Sequence, residues 1–391
     1  MKKTNFFEII GVLSLSLILT SAFSISGSVP SMLEVFEGYS RSNIELLISV
    51  PSFFMMTMIA LSPFLTKLIP ERPMIVTGLL LFGIAGVVPV FVKSFPIIFA
   101  SRIFLGIGTG LINGKAVTII GERFTGELRQ KLQGIRCSME TLGQATLTLV
   151  AGQLLVFGWN YSFLIYAAAF LVLFLYLTCV PVGKTGGVKA AKEDGGKGQK
   201  KRISIKDWIF ILKHAFLGFF MISTNVSLSL RIPSYVIEKG IGTAVDGSTI
   251  MSISIFSGFI GGLLFGVLIK WMKQFLLPVS LGFTAVGHGI IVLADSYGML
   301  VLGVAFCGFF VTNCLSYMFN RVPECLPVEN IGTANAIVLV GCNLGSFTAP
   351  FVLQAVGLIS PSLSAGFLAY GIAYAVYAAG TGISGLRTKE L

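Results

Sequence analysis

Stretches of apolar residues, each about as long as a membrane-crossing helix, alternate with short polar segments along the whole chain. The hydrocarbon core of a bilayer is about 30 Å thick, and a helix needs about 20 residues to cross it. Twelve such stretches are predicted, at 7–29, 44–64, 74–92, 97–120, 132–156, 160–182, 207–236, 248–270, 275–295, 298–320, 331–357 and 362–385. Because open sheet edges do not occur in lipid, the pattern predicts an all-α membrane protein with twelve transmembrane helices.

A polar segment separates the first six predicted spans from the last six. It extends over 183–206, is rich in Gly and Lys, and has too few apolar residues to form a packed core. The sequence therefore predicts an N-terminal six-helix bundle at 1–182, a cytoplasmic linker at 183–206 and a C-terminal six-helix bundle at 207–391. Two such halves around a central cavity are typical of secondary carriers that rock between two states.

Composition agrees with a membrane location and changes the meaning of the net charge. Apolar residues make up 54% of the chain and charged residues only 12%, and the mean hydropathy is +0.88. The net charge of +11 alone would indicate a nucleic-acid partner. The lysines and arginines concentrate in alternate loops, however, which is a sign of membrane topology. With positive loops inside, both termini and the linker are predicted to be cytoplasmic, in a bacterial plasma membrane, with lipid and not nucleic acid as the surroundings.

Motifs in the fourth to sixth spans carry a family resemblance. Residues 102–110 match the pattern R-x-x-x-G-x-G-x-G, and residues 158–163 match G-W-x-x-x-F. The chain resembles the major facilitator superfamily and, within it, the twelve-span drug–proton antiporter branch, which implies the major facilitator fold. Other antiporter motifs are degenerate: only Gly143 and Gly152 remain of the span 5 pattern, and the loop after span 2 lacks its aspartate. These departures weaken the expectation of proton-driven efflux.

Charged side chains within the spans are candidate functional groups because an ionised group in hydrocarbon is costly. We predict that Glu140 is the only deeply placed acid, about 12 Å into span 5 at 1.5 Å per residue. Arg136 and Gln144 lie four residues to either side of Glu140 and share its helix face. Two interpretations stay open: Glu140 binds the coupled proton, or Arg136 and Glu140 form a structural ion pair.

Further polar residues are predicted to take part in coupling or to line a substrate cavity. Arg102 begins the span 4 motif, and the family resemblance suggests a role in proton transfer or in locking helices together. The predicted cavity residues are Asn113, Gln144, Asn225, Arg231, Asn313, Tyr317 and Asn343. The alternative for the amides is hydrogen bonding between helices, worth about 1 kcal/mol or less each.

The sequence favours a transporter over other classes of membrane protein. It contains no nucleophile–base grouping, metal cluster or nucleotide motif, so we expect neither an enzyme nor a cofactor. The leading hypothesis is proton-coupled export of a drug-like or amphipathic molecule by alternating access. The alternative is uptake of a polar metabolite such as a sugar, an organic anion or an amino-acid-like compound, driven by protons or by exchange. A monomer would suffice for either.

Overall fold

The structure is a computed structural model and describes residues 6–124, 126–181 and 204–387. Within these residues the secondary structure is helical throughout and contains no strand. This confirms the predicted all-α class. The predicted linker falls mostly on residues 182–203, which lie outside the described part, so the boundary between the two halves stays a prediction.

Each predicted span falls on a helical segment, and the helices are numbered here by span. Helix 1 is broken: Phe6–Ser14 continues through 3₁₀ turns at Leu15–Ile18 and Ser21–Ser28 into Val29–Val35. Helices 2 to 6 are Arg41–Leu68, Glu71–Phe91, Phe95–Arg123, Gly126–Leu154 and Ala168–Cys179, the last preceded by a 3₁₀ stretch at Trp159–Ala167. Helices 7 to 12 are Ile205–Glu238, Ala244–Met272, Leu276–Val292, Tyr297–Cys325, Val328–Ile359 and Leu363–Arg387.

Length and hydropathy alone support slightly fewer spans. Nine described stretches are long and apolar enough to cross a membrane, or ten if the bent helix 1 counts as one span. One of the nine, Ala244–Val292, contains both helix 8 and helix 9. Helix 5 is not among them because polar residues occur along its whole length, from the charges of its first eleven residues to Glu140, Gln144 and Gln153. The helices are therefore consistent with twelve spans.

Serine side chains explain the break in helix 1. The hydroxyls of Ser14, Ser21 and Ser28 donate to the carbonyl oxygens three residues earlier, at Gly11, Ile18 and Ile25. Such local bonds compete with the regular helical pattern and bend helices. The two parts of helix 1 meet at an angle of 42°.

Two compact units are present. Unit 1 contains Met1–Ala22, Val50–Gln144 and Phe163–Trp208. Unit 2 contains Phe23–Ser49, Ala145–Ser162 and Ile209–Leu391. Unit 2 thus combines helix 7 from Ile209 onward and helices 8 to 12 with one end of each of helices 1, 2 and 5 and the start of the 3₁₀ stretch before helix 6. The charge pattern predicts that these ends lie outside. Its core includes two apolar clusters, one around Ile232 and Tyr235 and one around Met221 and Tyr374.

Candidate functional site

A buried ion pair joins helix 2 to helix 7 within unit 2. Arg231 Nε donates to Glu45 Oε1, and Arg231 Nη2 donates to Glu45 Oε2 at 3.3 Å. The Glu45 side chain is 0% exposed and that of Arg231 is 10% exposed. Two parallel hydrogen bonds between a guanidinium and a carboxylate form the strongest common geometry for such a pair. The pair therefore holds helix 2 of the N-terminal half against helix 7 of the C-terminal half.

The burial of Glu45 corrects the expectation that Glu140 alone lies deep. The apolar pattern predicts a second span that begins at residue 44, which places Glu45 at the end of that span. Helix 2 in fact begins at Arg41, where Ser40 Oγ accepts a hydrogen bond from the Asn43 amide at 3.3 Å. Glu45 is thus one turn inside the helix and faces helix 7. Arg231, predicted to line the substrate cavity, is engaged by a carboxylate, and its part in a substrate site stays a prediction.

Further charges surround this pair. Arg41 Nη1 donates to Ser234 Oγ at 3.1 Å, a second bond between helices 2 and 7. An open cavity of about 380 Å³ borders the pair, and its polar lining includes Arg41, Arg231 and Glu238. The region holds two arginines and two glutamates, so the local charges balance. Such a balanced group stays paired only while helices 2 and 7 remain together.

Glycines let other helices approach at the same end of unit 2. A methyl group at Gly27 in helix 1, or at Gly152 in helix 5, would clash with the side chain of Ser248 in helix 8. Small residues of this kind allow close backbone approach in membranes. Helix 2 therefore touches helix 7, and helices 1 and 5 touch helix 8, at this end of unit 2.

The predicted pair of Arg136 and Glu140 is present in unit 1 but differs in kind. Arg136 Nη1 donates to Glu140 Oε2 at 3.1 Å, with side chains 14% and 24% exposed. Both residues lie on helix 5, four residues apart. Helix 5 packs on helix 1 at this level, because Gly143 touches the Leu17 backbone and Thr20 Oγ1 donates to the Glu140 carbonyl oxygen. Gln144, the third residue on this face, is partly buried.

Arg102 is buried in unit 1 and bonds to helix 3 close to Pro89. Its Nη2 donates to the carbonyl oxygens of Ala85 and Gly86 at 3.1 and 3.0 Å. Pro89 lies four residues after Ala85 and has no N–H, so the Ala85 oxygen lacks its helical partner. The guanidinium also lies 4.9 Å from the Phe163 ring centroid and 5.0 Å from that of Tyr166. This geometry supports the helix-locking interpretation, while the proposed role in proton coupling stays untested.

The predicted cavity residues are distributed over different surroundings. Asn313 and Asn343 each donate to a carbonyl oxygen four residues earlier, at Phe309 and Leu339, both at 2.9 Å. Asn113 Nδ2 lies 3.8 Å from Met55 Sδ. Asn225 and Tyr317 are partly buried. These amides thus engage their own or a neighbouring helix, and their part in a substrate site stays a prediction.

Unpaired hydroxyl groups are a feature that the sequence analysis did not single out. Within the described residues, the buried Oγ atoms of Ser26, Ser49 and Ser162 have no hydrogen-bond partner. All three lie in unit 2, on the ends of helices 1 and 2 and before helix 6. Buried polar atoms are almost always hydrogen-bonded, so orphaned hydroxyls indicate places that water or a polar ligand can satisfy. These serines stand among the apolar residues of predicted spans, so the sequence does not show that their hydroxyls are unpaired.

Unit 1 also contains a charged cluster that the sequence did not predict. Arg123 on helix 4 binds Glu8 on helix 1 at 2.9 Å and Glu71 at the start of helix 3 at 2.8 Å. Arg72 donates to the carbonyl oxygen of Leu177 within helix 6 and to that of Val180 just after it. Glu71 and Arg72, at the end of the degenerate loop motif, thus connect helix 3 with helices 1, 4 and 6. Spacing along the chain gives no sign of this cluster.

Comparisons with known proteins agree with this architecture. A model of the Major Facilitator Superfamily matches residues 11–350. Among solved structures, the chain is similar to a D-xylose–proton symporter, with 18% identity, a TM-score of 0.77 and coverage of 96% of this chain and 97% of that one. The xylose transporter XylE from E. coli, in an inward-open conformation, gives 17% identity, a TM-score of 0.76 and coverage of 96% and 95%.

A third structure has a different ligand. A POT family transporter in complex with 5-aminolevulinic acid gives 15% identity, a TM-score of 0.74 and coverage of 96% of this chain and 95% of that one. At these identities the likeness concerns the fold. No curated relative matches the chain.

Proposed function

The chain belongs to the major facilitator superfamily, and from this premise we propose that it is a proton-coupled carrier of a small polar organic solute, working in the direction of uptake. The ion pair between Glu45 and Arg231 is the observation that carries the proposal. A carrier of this architecture alternates between states in which one side or the other is closed. In the proposed cycle the pair stabilises the state closed at the predicted outer side.

Protonation of Glu45 provides the energetic link between protons and opening. Separating helices 2 and 7 breaks the pair and leaves each charge without its partner in an apolar region, which is strongly unfavourable. A proton on Glu45 removes the negative charge and lowers the cost of separation. Proton binding therefore favours opening at this end, and opening favours proton binding, because such linkage is reciprocal. Charge balance between Arg41, Arg231 and the two glutamates changes with the same step.

Two features support a polar substrate. The orphaned hydroxyls of Ser26, Ser49 and Ser162 offer hydrogen bonds that a polyhydroxylated or zwitterionic solute can accept or donate. The structures that share the fold also include carriers described as binding xylose and 5-aminolevulinic acid. A drug-like ligand needs instead a largely apolar pocket with few polar anchors. We therefore place uptake of a polar metabolite ahead of drug export.

Export of an amphipathic compound remains the second candidate, and the span 4 motif favours it. Gly106, Gly108 and Gly110 all pack closely on helices 2 and 3, so a methyl group at Gly106 would lie 2.5 Å from the Pro51 carbonyl oxygen. The motif resembles that of drug–proton antiporters, and here it is complete. The missing proline and aspartate of the other motifs weigh against this candidate.

Flux measurements in proteoliposomes test the proposal. We expect D-xylose or 5-aminolevulinic acid to enter in a saturable manner that increases when the outside is made acidic. Glu45→Gln removes the titratable group and keeps the shape, so we expect it to lose gradient-driven uptake by about tenfold or more while retaining exchange of labelled for unlabelled solute.

The controls separate the alternatives. Glu140→Gln should keep the gradient dependence if Glu45 is the coupling acid, and should lose it if the Arg136–Glu140 pair couples protons. Efflux of a fluorescent lipophilic cation, with no uptake of either polar solute, would support the second candidate. Gradient-driven transport that survives Glu45→Gln unchanged would overturn the assigned coupling role.

A further inference from the structure

A groove between helices 7 and 12 lies outside the charge pairs described above. It has a volume of about 640 Å³ and is lined mainly by apolar residues of helix 7 and helix 12, among them Ile209, Phe216 and Val376, together with Lys213. Ligand pockets in proteins typically measure about 300–1,000 Å³, so the groove is large enough for a ligand. Both walls belong to unit 2.

Helical spacing accounts for the two walls. On helix 7, Ile209, Lys213, Phe216 and Phe220 recur every three or four residues and therefore form one stripe. On helix 12, Ala373, Tyr377, Gly380 and Thr381 do the same. The small residues Ala373 and Gly380 keep the helix 12 wall low, and a methyl group at Gly380 would meet nothing within 4 Å.

The groove continues toward the membrane centre and closes there. A smaller cavity of about 160 Å³ shares Phe216 and Tyr377 with it and extends to Phe220 and Ala373. Beyond this point helices 7 and 12 come together, since Tyr370 OH accepts a hydrogen bond from Ser227 Oγ at 3.1 Å. The result is an apolar groove that is closed at its deep end and has Lys213 at its shallow end.

Charge distinguishes the shallow end. Lys213 is exposed and is the charged residue of the groove lining. Within the described residues it forms no ion pair. The positive-inside pattern places this end of helix 7 in the cytoplasm, directly after the basic linker. The anionic headgroups of the inner leaflet lie at the same level of the membrane as this end of helix 7.

We propose that the groove between helices 7 and 12 is a binding site for one anionic phospholipid of the inner leaflet. The phosphate of the lipid would lie at Lys213, and one acyl chain would follow Phe216 and Phe220 toward Tyr370. Basic pockets between transmembrane helices on the cytoplasmic side bind lipid headgroups in this manner. The proposal does not depend on the transported solute or on the coupling acid.

Lipid adducts of the purified full-length chain, counted by native mass spectrometry, test the proposal. With phosphatidylglycerol and phosphatidylcholine of identical acyl chains, we expect one tightly retained phosphatidylglycerol. Lys213→Gln should weaken its retention about fivefold, the value of one lysine near a charged surface, and should leave phosphatidylcholine unaffected. Gly380→Leu fills the groove and should reduce retention of both lipids.

Matched variants complete the test. Lys270→Gln, an exposed lysine at the same predicted side of helix 8, and Gly282→Leu, where added atoms also meet open space in helix 9, should both retain phosphatidylglycerol like the parent. Unchanged retention in both Lys213→Gln and Gly380→Leu would overturn the proposal. Competition by inorganic phosphate alone would also overturn it, because a soluble anion would then be the occupant.

Discussion

Two acid–arginine pairs of this chain, Arg136 with Glu140 and Arg231 with Glu45, differ in what they connect. Arg136 and Glu140 lie on one helix, four residues apart, and their distance is fixed by helical geometry in every state of the protein. Glu45 and Arg231 lie on helices 2 and 7 of different halves, 186 residues apart. In the proposed cycle, only a pair of the second kind must break. The comparison teaches that the partner helix of an acid, and not its depth along one helix, decides whether a movement between helices would break its ion pair.

Removing the acid of the pair between helices should have the largest effect. Glu45→Leu leaves Arg231 buried beside Arg41 without its carboxylate, and breaking a buried pair in this way costs about 3–5 kcal/mol. Glu45→Leu/Arg231→Met replaces both charges by apolar groups and should recover most of that loss. Thermal unfolding in detergent measures the stability of both variants.

An exposed acid at the same side provides the control for this cycle. Glu37→Leu should leave the unfolding temperature near that of the parent, because Glu37 is exposed after helix 1. Equal stability of Glu45→Leu and Glu37→Leu would mean that the pair contributes nothing to holding helices 2 and 7 together.

A buried cation without any acid sharpens the comparison further. Arg102→Ala should destabilise the protein by about 2–3 kcal/mol, since it strands the Ala85 carbonyl and removes two cation–π contacts. Pro89→Ala supplies the missing N–H to that carbonyl. We therefore expect Pro89→Ala/Arg102→Ala to be more stable than the sum of the single effects predicts, as measured by a double-mutant cycle. Additive effects would show that Arg102 does not act through the Ala85 carbonyl group that Pro89 leaves without a helical partner.

These cases mark what sequence reasoning can and cannot predict here. The apolar pattern predicts all twelve helical segments, because crossing a bilayer imposes a length that is visible in the chain. The intrahelical pair was predicted because four residues always make one turn. The pair of Glu45 with Arg231 was missed, and so was the cluster around Arg123, because partners on distant helices leave no spacing signal. Arg231 did signal a need, as a deep cation with no acid within one turn of its own helix.

Crowding the closed end tests whether the pair depends on helix approach. Gly152→Ala should disfavour contact with Ser248 by about 1–3 kcal/mol, the usual cost of overpacking. Ser49→Cys, at a buried position of helix 2, reports opening through its reaction with a membrane-impermeant maleimide added from outside. Labelling should be faster when Gly152→Ala is present and should slow again with Ser248→Gly. Unchanged labelling would contradict closure at this end.

Breaking the pair within helix 5 should have the smallest effect. Arg136→Gln removes an interaction between residues one turn apart, which is worth about 0.3–0.5 kcal/mol in helices. The unfolding temperature should therefore change little. Transport should keep its dependence on the pH gradient, because the distance between residues 136 and 140 does not change as the halves move. If Arg136→Gln instead uncouples transport while Glu45→Gln does not, helix 5 senses the proton through a change in solvent access to Glu140. The pair between helices 2 and 7 would then serve only to close the outer end.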